Sequence, residues 1–123
     1  MQQFMTFLIL ICSLFTASNA FGTDDVVHVD RYVEDHKFSP SVVELPEGKK
    51  IIITVHNQDA TIEEFESIEL KREKIVLGNS ETRIILAPLK PGEYKFFGDF
   101  HQDTAQGKIV VKETPKEETE KDV

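Results

Sequence analysis

The chain has 123 residues, enough for one domain and too few for two. Its 22 acidic side chains outnumber 14 basic ones, leaving a net charge of -8 that argues against nucleic acid and anionic membranes as partners. The single cysteine, Cys12, leaves no pair for an intrachain disulfide.

Phe4 to Thr16 is an apolar run, and Ser18-Asn19-Ala20 follows with small side chains where a signal peptidase reads. The composition then turns polar at Gly22-Thr23-Asp24-Asp25. Residues 1–20 are therefore expected to be a secretory signal peptide, too short and wrongly flanked for a membrane anchor. Cys12 follows Ile11, where lipid attachment wants a small residue, so it reads as an apolar residue of the discarded peptide. Cleavage after Ala20 removes Cys12 and both methionines and places the mature protein in the periplasm or outside the cell. No stable membrane insertion is expected of it.

The mature part is predicted to be all-β. Strands are expected at Val26 to Val33, Ser41 to Leu45 and Lys49 to His56, the last with Ile51, Ile53 and Val55 on one face. Glu34-Asp35-His36-Lys37 reads as a polar loop, and Pro46-Glu47-Gly48 as a turn. Asn57 to Thr61 is a second polar loop. Strands follow at Glu64 to Leu70, Lys74 to Leu77, Thr82 to Leu86, Tyr94 to Phe100 and Lys108 to Lys112. Eight short strands punctuated by Gly and Pro turns predict a Greek-key β-sandwich or barrel over residues 21–112. Residues 113–123 alternate Lys with Glu and have almost no apolar content, which predicts a disordered tail.

Leu89-Lys90-Pro91-Gly92-Glu93-Tyr94-Lys95-Phe96-Phe97, then His101, then Gly107-Lys108-Ile109-Val110-Val111 resemble the second half of a cupredoxin. Phe38-Ser39-Pro40, Pro46-Glu47-Gly48 and the strand ending at Asn57 resemble its first half. Within that superfamily, Glu63-Glu64-Phe65-Glu66-Ser67 and Phe97-Gly98-Asp99-Phe100-His101 are similar to the EfeO-type domains found with bacterial iron-uptake systems. The resemblance implies a metal-handling role, with an iron or copper ion as cargo and an iron permease or another periplasmic uptake component as partner. Blue-copper cupredoxins have cysteine where this chain has Gly98, and the axial methionine is also missing. No blue type-1 copper is expected, and any site must use nitrogen and oxygen ligands.

In that fold the segments around His36, Asp59 to Glu66 and Asp99 to Asp103 converge at one end. His101 matches a copper-ligand histidine of the family, and the expected metal ligands are His101, Glu64, Glu66, Asp99 and His36. Carboxylate and imidazole donors suit iron, manganese, zinc and type-2 copper. Glu64 and Glu66 lie two apart and share a face of their strand. A slip of one residue instead turns Glu63 inward. His28 and His56 read as structural or surface groups, and Phe96, Phe97 and Phe100 as core. No Ser/His/Asp pattern, phosphate-binding glycine loop or H-E-x-x-H element is present, so the chain is not read as an enzyme. The alternative function is a metal-free module that docks a membrane or periplasmic partner.

Overall fold

The computed structural model describes residues 26–115. The expected signal peptide and the tail beyond Pro115 lie outside the described residues. Nine strands follow in chain order: β1 (Val26–Glu34), β2 (Lys37–Ser39), β3 (Val42–Pro46), β4 (Lys50–Asn57), β5 (Glu63–Ser67), β6 (Arg72–Val76), β7 (Ser80–Leu86), β8 (Gly92–Gly98) and β9 (Gln106–Lys112). They form two sheets, β2-β1-β4-β7 and β3-β9-β8-β5-β6.

The expectation of eight strands is corrected to nine, because Lys37–Ser39 folds back on β1 as a short β2. Asp35 and His36, both with positive φ (51° and 57°), make the two-residue turn of this hairpin. Such a turn suits the right-handed twist of the flanking strands. A second correction concerns the aromatic strand. β8 stops at Gly98, and Asp99–His101 forms one turn of 3-10 helix. Phe100 is consequently exposed rather than in the core, whereas Phe96 is buried.

Alternation of side chains builds the core between the sheets. Val33, Ile51, Ile53, Val55, Ile84 and Leu86 come from the first sheet, and Phe65, Phe96, Ile109 and Val111 from the second. Burying each large apolar side chain contributes roughly 1.5–3 kcal/mol. Phe38, carried by β2, meets the Phe96 ring edge-on at 5.0 Å, and Phe65 stacks on Phe96 at 5.1 Å. Such aromatic pairs add about 0.5–1.5 kcal/mol beyond area. This cluster lies under the end of the sandwich where the expected ligand segments meet. Past β9 the Thr114 amide donates to Glu47 at 2.8 Å, which ties the last described residues to the domain.

Candidate metal centre

The centre is organised by β5, whose run Glu-Glu-Phe-Glu-Ser alternates between two environments. Phe65 faces the core, so Glu63 and Ser67 face inward with it, and Glu64 and Glu66 face the outer side. Of the three glutamates, Glu63 and not Glu64 or Glu66 is therefore the one that reaches His101. Its carboxylate is only 2% exposed and has three partners. Oε1 accepts the Glu64 amide at 3.0 Å and the Phe100 amide at 3.1 Å, and Oε2 lies 2.6 Å from His101 Nδ1.

Gly98 explains how a carboxylate fits there. A Cβ built on Gly98 falls 2.6 Å from Cδ of Glu63 and 2.7 Å from Cβ of Ala105. The volume into which a side chain at position 98 projects is already filled by Glu63. The residues present do not fit a blue copper centre, since the sole cysteine is Cys12 and Glu63 occupies the space of a thiolate at position 98.

His36 reaches His101 through a separate chain of bonds. The Asp59 carboxylate accepts the backbone amides of Asp35 and His36 at 2.9 and 3.0 Å, holding the positive-φ turn. Asp59 is placed by Asn57, a buried amide that accepts from the Asp59 N–H and donates to the Thr61 and Val76 carbonyls. The His36 ring then stacks on His101 with centroids 3.5 Å apart and planes 13° from parallel.

On the outer side, Glu64, Glu66 and Asp99 bring ligand atoms within 4.8 Å of one another. Glu73, directly opposite Glu66 in the β5–β6 register, joins them. His101 is not part of this group. The five expected ligands thus divide: Glu64, Glu66 and Asp99 on the outer face, His101 and His36 at the loop end with Glu63. Both β5 and the 3-10 turn contribute to each half.

The crowding has a measurable consequence. Glu64 is 8% exposed and titrates with its proton affinity pushed up to about 7. The main cause is a hydrogen bond with the Glu73 carboxyl, followed by desolvation and repulsion from Glu73, Asp99 and Glu66. Glu66 is also raised, chiefly by desolvation and then by Asp99 and Glu73. A carboxyl raised in the folded state binds more protons there than in the unfolded chain. Its stabilising contribution is present below the unfolded value of 4.5 and is lost as pH rises through about 7. Metal-free protein is expected to lose stability across that window. Glu64→Gln should flatten the fall, as read from urea unfolding at a series of pH values; an unchanged slope would remove Glu64 as its source.

His56, inside β4, is committed elsewhere. His56 places Nε2 2.8 Å from Asp30 and Nδ1 3.0 Å from Glu81, bridging three strands of the first sheet. Both ring nitrogens are used, as expected of a surface structural group. Glu63, Glu73 and Asn57 were not among the expected ligands or their supports. Glu63 was nonetheless readable, because a strand that must bury Phe65 turns residue 63 to the same side.

Two sheets packed over an aromatic core, with an imidazole on the turn after the penultimate strand, define a cupredoxin-like β-sandwich. The family model described as Cupredoxin-like domain matches residues 4–111, and the chain belongs to that family. An uncharacterised protein of Rickettsia prowazekii (strain Madrid E) is 50% identical over 85% of this chain and 90% of its own length. Among solved structures, auracyanin A, a blue copper protein of Chloroflexus aurantiacus, superposes with a TM-score of 0.62 at 15% identity, covering 71% of this chain and 99% of that one. The metal-binding domain of the Cu(I)-exporting ATPase CopA of Streptococcus pneumoniae D39 gives 0.60 at 18% identity, covering 74% and 99%. At these identities the likeness is one of fold.

Proposed function

We propose that this chain is a periplasmic metal-binding protein of the EfeO-like kind, accessory to iron or copper uptake beside a permease. It acts by binding and delivery rather than catalysis, through a site of oxygen and nitrogen ligands. The observation that carries this reading is the group Glu64, Glu66 and Asp99, whose ligand atoms lie within 4.8 Å on a face where Glu64 is nearly buried. Carboxylates this close cannot all ionise in the metal-free protein without repulsion. A divalent or trivalent cation replaces the shared protons and removes that repulsion. His101 and His36 stand apart from that group, at the loop end beside Glu63, as a separate pair of borderline imidazole donors. The periplasmic location and the iron or copper cargo are supported by the leader-like residues 1–20 and by the sequence resemblance.

The test is the melting temperature of the protein with Fe(III), Cu(II), Zn(II) or Mn(II). Binding to the folded state alone stabilises by about 2.7 kcal/mol at a hundredfold excess over Kd. The Glu64→Gln, Glu66→Gln double variant is expected to lose most of that shift, and changes at His28 and His56 to leave it intact. The Cu(II) form should absorb only weakly in the visible. No shift with any of the four ions would overturn the reading in favour of a metal-free module that docks a partner.

A further inference from the structure

The open edge of the second sheet is basic. β6 ends the order β3-β9-β8-β5-β6, so one side of its backbone has no strand beside it. Among the described residues, no backbone hydrogen bond reaches residues 72–75 from that side. β7 ends the other sheet, and the two edges face each other across a groove lined by Arg72, Glu73, Lys74, Arg83, Ile84 and Ile85. Arg72 spans it, donating from Nε to the Ile85 carbonyl at 3.4 Å. An unpaired edge of this kind is a template for another extended segment.

The cations in this groove are unmet. Arg72, Lys74 and Arg83 are exposed, and among the described residues none of the three is paired with a carboxylate; Arg72 bonds only to backbone carbonyls. Such a cleft stands out on a chain whose net charge is -8. Along β6 the side chains alternate. Arg72 and Lys74 take the face of their partners Ser67 and Phe65, and Glu73 takes the outer face with Glu66. The strand therefore opens with the charge order plus, minus, plus. The complementary order, minus, plus, minus, is present at Glu120-Lys121-Asp122. Laid extended beside β6, Lys121 meets Glu73 on the outer face, and Glu120 and Asp122 meet Arg72 and Lys74 on the other. This holds in whichever direction the two strands run.

Reach permits this within one molecule. Thr114 is bound to Glu47, five residues before Ile52, and Ile52 pairs with Ile85 at the Arg72 end of the groove. Five residues of strand and one strand spacing amount to roughly 17 Å. Residues 116–122 extend up to about 23 Å. A segment tethered so close is present at an effective concentration in the millimolar range. We propose that residues 120–122 dock as an added strand on β6 of the same molecule, seated by charge in the groove between the two sheets. Main-chain bonds to the open edge hold the segment, and the charge order sets its register. Docking also covers an edge that is otherwise free to pair with other chains.

The experiment is amide hydrogen exchange, read by 1H–15N NMR on the full chain at low salt, at those amides of residues 72–75 that β5 does not bond. The deciding variant is Glu120→Lys with Lys121→Glu, which keeps composition and net charge and reverses the charge order. The native chain is expected to exchange these amides more slowly than that variant, by about threefold or more, from three opposite-charge pairs across the strands. Arg72→Glu with Lys74→Glu should speed exchange in the same way, and adding Glu120→Lys with Asp122→Lys should slow it again. High salt should erase the difference. Equal exchange in the native and order-reversed chains overturns the proposal. So does protection that disappears on dilution, which assigns the groove to the tail of a second copy. The tail variants change no residue of either sheet, so the outcome does not depend on the β6 variants folding.

Discussion

Glu63→Ala is expected to destabilise the domain by about 3 kcal/mol, while Glu64→Ala, one residue further along the same strand, leaves the metal-free protein at neutral pH as stable or more so. The contrast follows from what each carboxylate meets. Removing Glu63 strands the amides of Glu64 and Phe100 and takes away the partner of His101 Nδ1. Each buried donor left without an acceptor costs about 1–3 kcal/mol, and water entering the gap recovers part of it. Removing Glu64 takes one charge away from three others. The same experiment extends to Gly98. Gly98→Cys alone should cost about 1–3 kcal/mol, because its Cβ is driven into Glu63 and Ala105. In the Glu63→Ala background much of that cost should vanish, giving a coupling above about 0.5 kcal/mol between two directly touching positions. Urea unfolding of the four proteins measures it. Strictly additive costs would show that Glu63 does not fill the space beside position 98.

Asn57→Ala is expected to cost a similar amount, about 3 kcal/mol, and to act on the site from a distance. Asn57 is 2% exposed, and its amide satisfies the Thr61 and Val76 carbonyls and the Asp59 N–H together. Alanine leaves all three buried or half-buried groups without that partner. The effect then propagates by geometry. Asp59 loses its anchor, the amides of Asp35 and His36 lose their shared acceptor, and the turn that carries His36 loosens. The His36 and His101 ring protons should therefore lose the mutual upfield shift that stacked rings impose. Stability loss with the ring shifts unchanged would mean that the hairpin holds His36 without help from the Asn57 loop.

Much of the fold was legible along the chain because each inward strand position is marked by its own side chain. Ile51, Ile53 and Val55 alternate without interruption, and the burial of β4 follows them residue by residue. Gly and Pro mark the turns at Pro46-Glu47-Gly48 and Pro91-Gly92. Short elements were less legible. β2 has three residues, too few for a period, and its pairing depends on a turn held by Asp59, 23 residues further on. The run Phe96-Phe97-Gly98-Asp99-Phe100 continues an aromatic pattern, yet the chain turns at Gly98 because Glu63 captures the Phe100 amide from another strand.

The residue types of the candidate centre belong to the sequence by itself: two imidazoles, several carboxylates and no thiolate in the domain, which restricts any ligand set to nitrogen and oxygen. The parity of β5 also belongs to it, since a strand with a single large aromatic buries that residue and carries Glu63 inward beside it. What only the tertiary structure decided is the partition of the ligands. Glu64, Glu66 and Asp99 meet Glu73 because β5 pairs with β6 on one side and β8 on the other, and sheet order is not written in any one segment. His101 meets Glu63 and His36 instead, because the 3-10 turn rotates it away from Asp99 over two residues. Local pattern sets which face a side chain takes. Which carboxylates share that face, and so which cannot all keep their charge, depends on long-range pairing that the chain acquires only when the sheets close.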